Sequence, residues 1–240
     1  VVSGAVLGIG TAWLLELYGP GKEQRAAVRI TLVTYAGFGL GPVISALLFW
    51  LAPGPLVFAF AIHAAASLAV VGLMLCIPET HPADADQRIR LSLGVPPAAR
   101  QAFVVIIVPA AIWVFVFPSA GFALFPVLVG DSIGVSDVGV AAAAGALTAW
   151  SGLLSRPLVV AIGPRAALPL GMAMGTAGYI VGTVAFAADQ WPLVLISAPL
   201  LGMASGSLMV ACLSLIGVMT DTDRRGSLTS SFYLLAYPGM

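Results

Sequence analysis

Residues 78–100, PETHPADADQRIRLSLGVPPAAR, decide the fold. The stretch carries Glu79, Asp84 and Asp86 beside Arg88, Arg90 and Arg100, and is broken by Pro78, Pro82, Pro96 and Pro97. A segment in hydrocarbon must bond all its backbone groups within one continuous helix, which this density of proline and charge excludes. The stretch therefore lies in water. On either side the chain turns apolar in runs of about 18 residues or more, enough for a helix to cross about 30 Å of hydrocarbon. Three apolar segments precede the stretch and five follow it, the last of them shorter than a span.

Composition agrees with a bilayer environment. Of 240 residues, 60% are hydrophobic and 8% charged, and the mean hydropathy is +1.06. Soluble domains carry about 25% charged residues, so that class is excluded. The ten basic and ten acidic residues balance and form no basic patch, so nucleic acid is not an expected partner. Cys76 and Cys212 lie inside apolar segments with no CxxC or Cys/His cluster. They read as small core residues, and no metal or other cofactor is expected. Val1-Val2-Ser3-Gly4 lacks the basic opening of a signal peptide, and the last apolar run is too short to span. The chain is expected to be a fragment of a longer membrane protein.

Helices are predicted near 1–18, 29–51, 55–77, 102–129, 138–155, 166–187, 191–219 and 227–240. Their connections alternate in charge. Lys22 and Arg25, with Arg29 at the edge, fall in one; Arg88, Arg90 and Arg100 fall in the central stretch. Arg156 and Arg165 bracket another, and Arg224 and Arg225 the last. The intervening connections hold no cation, only Asp131, Asp137 and Asp189. Every Lys and Arg thus falls on one side, which the positive-inside rule makes cytoplasmic. Loops 19–28, 78–101, 156–165 and 220–226 are predicted to face the cytoplasm, with the chain multi-pass in the cytoplasmic (inner) membrane of the cell. A faint repeat relates EQRAAV at 23–28 to TDRRGS at 222–227, as in transporters built from parallel repeats.

Segment 29–51 contains Gly37-x-x-x-Gly41-Pro42-x-x-Ser45-Ala46. Gly37 and Gly41 share a helix face, so a neighbouring backbone could approach there, and Pro42 predicts a kink beside them. This pattern resembles the antiporter motif in the fifth helix of major facilitator superfamily exporters, G-x-x-x-G-P-x-x-G-G, with Ser45 and Ala46 replacing the last glycine pair. Other stretches agree. Gly4-x-x-x-Gly8-x-Gly10 is similar to the fourth-helix glycine pattern, and Pro78-Glu79-Thr80 to the end of the sixth helix. The run from Arg156-Pro157 to Gly163-Pro164-Arg165 resembles a degraded copy of the family's cytoplasmic loop motif. Asp223-Arg224-Arg225-Gly226, followed by Ser231 to Tyr237, resembles the start of the eleventh helix in bacterial drug-exporter-like members.

The resemblance covers the whole chain, as helices four to eleven of twelve. It implies an all-α polytopic bundle, a partial major-facilitator fold of two pseudo-symmetric halves. Residues 1–77 would end the N-terminal half, 78–101 would tether the halves, and 102–240 would belong to the C-terminal half. The implied activity is secondary active transport by alternating access, without catalysis. Its expected form is proton-coupled efflux of small hydrophobic or amphipathic molecules by a protein monomeric at full length. The expected partners are that small-molecule substrate, protons and the lipid bilayer. An importer of a small metabolite is the alternative.

Site candidates follow from these segments. Glu16 matches an acid that latches the family's cytoplasmic gate, and Asp221 with Arg156 or Arg165 would form the second-half equivalent. Gly37, Gly41, Pro42 and Ser45 would be the hinge. Segment 102–129 is interrupted by Pro109, Pro118 and Pro126, and broken helices near the midplane are where transporters place substrate sites. Trp113, Phe117, Gly121 and Phe125 recur every four residues along it, an aromatic stripe with a notch. The stripe could face lipid, a neighbour or the cavity that the family's seventh helix lines. Met203 and Ser207 share a face with Ser214, and Tyr233 and Tyr237 with Ser230. The expected cavity wall is Trp113, Phe117, Phe125, Met203, Ser207, Tyr233 and Tyr237, a surface suited to apolar solutes. His63, well inside a segment, is either a proton relay or a structural histidine. Gly171, Gly175, Gly178 and Gly182 cut a packing groove along segment 166–187. A different class, an intramembrane serine protease using Ser205 and His63, would require the two side chains within hydrogen-bond reach.

Overall fold

A computed structural model describes residues 14, 17–18, 23–52, 54–77, 95–130, 137–219 and 222–237. Among them the chain is helical, without strands. Helices α1 (Glu23–Leu51) and α2 (Pro55–Met74) precede the central stretch. Then follow α3 (Pro97–Leu128), α4 (Asp137–Leu153), α5 (Ser155–Ile162), α6 (Pro164–Ala187), α7 (Val194–Met219) and α8 (Thr222–Ala236). Six helices are long and apolar enough to cross a membrane: α1, α2, α3, α4 continued by α5, α6 and α7. They coincide with the six complete segments predicted between residues 29 and 219. The predicted segment at 1–18 lies almost wholly outside the described residues, as does 78–94 of the central stretch.

The expected loop 156–165 turns out largely helical, as do the described residues 222–226 of the loop expected at 220–226. Residues 156–165 form α5 and the start of α6, separated by Gly163 at φ 82°, ψ 153°. Arginine ends a hydropathic run without ending a helix, and Pro157 and Pro164 sit in first turns, where a missing N–H costs nothing. Gly163 is the true break, because its φ suits glycine. By the same logic α8 starts at Thr222 and takes Arg224 and Arg225 into its first turn.

The contact register fixes the helix directions. Gly152 faces Tyr35 while Gly145 faces Pro42, so α1 and α4 run antiparallel. Gly171 meets Leu208 and Gly178 meets Leu201, so α6 and α7 are antiparallel as well. Thr148 lies against Gly202 and Ser155 against Gly206, which makes α4 and α7 parallel. Phe117 meets Gly175 and Phe125 meets Gly182, which makes α3 and α6 parallel. This is the alternation that successive spans require. It places the ends bearing Arg29, Arg100, Arg156 and Arg165 on one side of the bundle, opposite Asp137 and Asp189.

The core lies between α3, α4, α6, α7 and α8, where Phe117, Phe232, Ile107, Leu201, Leu208, Ile216 and Leu228 are fully buried. Helix α7 is its axis. Within lipid no hydrophobic force pulls helices together, so close packing across small residues holds them. α2 shows the opposite case: it touches α1, and it is exposed from Phe60 to its end. His63 and Cys76 are exposed on α2, while Cys212 is buried in the core.

Candidate functional site

The prolines of α3 show how the sequence shapes this element. A proline lacks the N–H that would bond the carbonyl four residues back, and its ring crowds that carbonyl. For Pro109 and Pro126 these carbonyls belong to Val105 and Phe122, and each lies inside a π-helical turn, Phe103–Ile107 and Ala120–Leu124. The widened turns absorb the crowding. For Pro118 the freed carbonyl is that of Val114, and it accepts a hydrogen bond from the Ser205 hydroxyl of α7 at 2.6 Å. Ser205 is therefore a tie between α3 and α7. His63 is exposed on α2, and its carbonyl accepts from Ser67 at 2.8 Å. The geometry of a serine–histidine pair is not present.

Helix α4 is clasped from two sides. Toward α7 it presents Thr148 and Ser151, and its continuation α5 presents Ser155, all buried, against Gly202 and Gly206. Thr148 donates to the Ala144 carbonyl at 2.8 Å and Ser151 to that of Thr148 at 3.0 Å. Ser155 reaches across to the Met203 carbonyl at 3.0 Å. Toward α1 the fit is of rings into glycine notches. A Cβ at Gly145 would come within 3.0 Å of Pro42, one at Gly152 within 2.6 Å of Tyr35, and one at Gly39 would strike the Trp150 ring. Phe38 of α1 also lies 6.5 Å, centroid to centroid, from Phe122 in the second π turn of α3.

The seam of α1 thus runs along Tyr35, Gly39, Pro42 and Ala46. Of the four residues predicted as a hinge, Pro42 lies in it. Gly37, Gly41 and Ser45 are exposed, and a Cβ at Gly37 or Gly41 would meet nothing within 4 Å.

The predicted cavity residues separate into two groups. Phe117 and Phe125 are buried in the groove of α6, against Gly175 and Gly182, with the Tyr179 ring 5.9 and 5.6 Å from theirs. The groove read from the glycine spacing is real: Phe117 and Phe125 fill it at Gly175 and Gly182, and Leu208 and Leu201 of α7 at Gly171 and Gly178. Trp113 stacks on Phe117 at 5.2 Å and is partly exposed. Met203 is half-buried and Ser207 fully buried, its hydroxyl without a hydrogen-bond partner among the described residues. Tyr233 and Tyr237 come together on α8, ring centroids 6.4 Å apart, and Tyr237 stacks on Phe115 of α3 at 5.0 Å. Of the gate residues, Arg156 and Arg165 are exposed at one end of the bundle, while Glu16 and Asp221 lie outside the described residues. At that same end Arg29 donates to the Tyr18 hydroxyl at 2.6 Å and sits 5.6 Å from its ring centre. No metal-binding group of three or more His, Cys, Asp or Glu gathers among the described residues.

Sequence reasoning passed over Tyr35, Phe115, Phe122 and Trp150. For Tyr35 a signal was present: 35, 39, 42 and 46 follow the spacing of one helix face, and three of them are small or rigid. No curated protein and no solved structure matches the chain. The sequence model of the Major Facilitator Superfamily matches residues 1–240, the full length of this partial helical bundle. By that match, and by its spans, the chain belongs to the Major Facilitator Superfamily.

Proposed function

We propose that this secondary transporter, a multi-pass membrane protein, exports small hydrophobic or amphipathic molecules against proton influx across the cytoplasmic membrane. The supporting observation is the seam between α1, which precedes the central stretch, and α4, which follows it. There Pro42 and Tyr35 lie in notches at Gly145 and Gly152, and among the described residues no side-chain hydrogen bond joins the two helices. Ring-in-notch contact is close enough to guide one helix over another and has no directional bond to break. Alternating access needs such a sliding surface, whereas the hydroxyl ties joining α7 to α3 and α5 suit parts that move together.

On this reading residues 1–77 and 102–240 belong to two rocking halves joined by 78–101. α1 corresponds to the fifth helix and α4 to the eighth, as in drug-exporter-like bacterial members. Residues 30–51, 101–130, 138–155 and 226–237 carry no charge, which favours uncharged or weakly polar cargo over sugars and anions. Arg156 and Arg165, with Asp221 and Glu16, would close the cytoplasmic side. Energised cells expressing the full-length protein and loaded with Nile red should lose the dye, and a protonophore should stop the loss. Solute-driven uptake with no proton counterflow would sink the export reading in favour of an importer.

A further inference from the structure

Several short hydroxyls inside these helices share one arrangement. Thr148 donates to the Ala144 carbonyl, Thr176 to that of Met172, Ser67 to that of His63 and Ser214 to that of Val210, each four residues back on its own helix. Ser207 does not. It is 0% exposed, and its hydroxyl has no hydrogen-bond partner among the described residues. The carbonyl four residues back is that of Met203, the same one that accepts from Ser155 of α5 at 3.0 Å. A carbonyl oxygen offers two lone pairs. The helical N–H of Ser207 takes one and Ser155 the other, which leaves none for the Ser207 hydroxyl.

α5 is bounded by two breaks. It has 8 residues and follows a turn at Leu154, whose N–H reaches back only to the Ser151 carbonyl at 3.0 Å. It ends at Gly163, with φ 82°. Beside the Ser155 tie, Val159 seats it in a small cluster with Ala167 of α6 and Ala211 of α7, rather than in the main core. Arg156, Val160 and Ile162 are exposed. We infer that α5 is a releasable strap at the cation-bearing end of the bundle, and that Ser207 replaces Ser155 on the Met203 carbonyl when the strap lifts. Seated, the strap leaves one buried hydroxyl unpaired, which is costly. Lifted, Ser155 meets water entering behind α5 and Ser207 turns to Met203, so both hydroxyls are bonded. Release is thus compensated from within α7. α5 travels with its half when the halves rock; lifting is a smaller motion within that half.

In full-length protein lacking other cysteines, with Cys76→Ser and Cys212→Ser among those replacements, Val159→Cys reports the lifting. Its alkylation by N-ethylmaleimide needs α5 to lift, because residue 159 is only 3% exposed when seated. Ser155→Ala removes the tie and should speed alkylation by up to about tenfold, the range of one neutral hydrogen bond. Ser207→Ala removes the unpaired hydroxyl from the seated form and the replacement donor from the lifted one. It should slow alkylation by about fivefold or more, the effect of one buried unpaired hydroxyl. Arg165→Cys, exposed already, should react alike in all three backgrounds. Substitutions that merely loosened packing would speed alkylation at either serine, so opposite shifts are the signature. Shifts of one sign, an unchanged rate with Ser207→Ala, or the same shifts at Arg165→Cys overturn the inference.

Discussion

At Pro118 the residue scale shows its logic most clearly. The ring removes one helical N–H, the Val114 carbonyl is left without its donor, and Ser205 on another helix supplies one. Interhelical hydrogen bonds in membrane proteins average about 0.6 kcal/mol. Leaving a buried carbonyl unsatisfied costs more, about 1–3 kcal/mol. Since Pro118 removes the alternative donor, the larger figure should govern. Ser205→Ala should lower stability by about 1–2 kcal/mol in thermal or denaturant unfolding and leave Nile red transport in place. Abolished activity with unchanged stability would instead make Ser205 a reacting group. The glycines of α1 and α4 give a paired test. Alanine at Gly145 would press on Pro42 and Phe122, both rigid rings, at 3.0 and 3.2 Å. Such overpacking costs about 1–3 kcal/mol. Gly37→Ala and Gly41→Ala meet open space, and better helix propensity should leave stability equal or improved by up to about 1 kcal/mol. Melting temperatures of the three variants of this chain check the order. A loss at Gly41 matching that at Gly145 would mean that the seam has been drawn on the wrong face.

Among the elements, α3 concentrates the sequence's irregularity. Each π turn holds one residue more than a regular helical turn, which rotates everything beyond it by about 100° relative to an unbroken α-helix. Inserting one alanine after Ala123 would add a residue that the widened turn has no room to absorb and would swing Phe125 out of the notch at Gly182. Unseating a buried phenylalanine costs about 3–5 kcal/mol. The insertion should therefore lower the melting temperature strongly, whereas an alanine inserted after the exposed Gln190, beyond the helix, should not. An insertion variant that melts normally would show that the register of this turn is not what seats Phe125. Hydropathy made the spans legible, because a run such as 191–219 is long and apolar whatever its neighbours are. It could not reveal the π turns, since apolarity does not depend on register. It also could not say which face of α1 is packed, because in lipid both faces are apolar and only shape distinguishes them. That is why Gly37 and Gly41 drew attention while Tyr35, Gly39 and Pro42 form the seam. The stripe Trp113–Phe117–Phe125 was legible as a stripe; its partner was not, because the notches at Gly175 and Gly182 are seven residues apart where Phe117 and Phe125 are eight. Loop 156–165 was misread for a related reason, since charge marks where apolarity stops and only Gly163 marks where the helix does.

Over the whole molecule, one measurement of sidedness carries to every loop, because the contact register locks the helix directions together. α1, α3 and α6 point one way, and α4 and α7 the other. Arg165 and Asp189 flank α6, whose 24 residues span about 36 Å at about 1.5 Å per residue, so the two lie at opposite faces of a bilayer. Both are exposed. The cation-bearing face should be cytoplasmic, since moving even one arginine through the helix centre costs about 2.5–3.5 kcal/mol and the insertion machinery retains positive flanks inside. In full-length protein lacking other cysteines, with Cys76→Ser and Cys212→Ser among those replacements, Asp189→Cys should react with a membrane-impermeant maleimide on intact cells. Arg165→Cys should react only after permeabilisation. The reverse pattern would not relocate one loop alone. It would turn the whole bundle over, set Arg29, Arg100, Arg156 and Arg165 outside, and reverse the direction in which the proposed proton gradient drives the seam between α1 and α4.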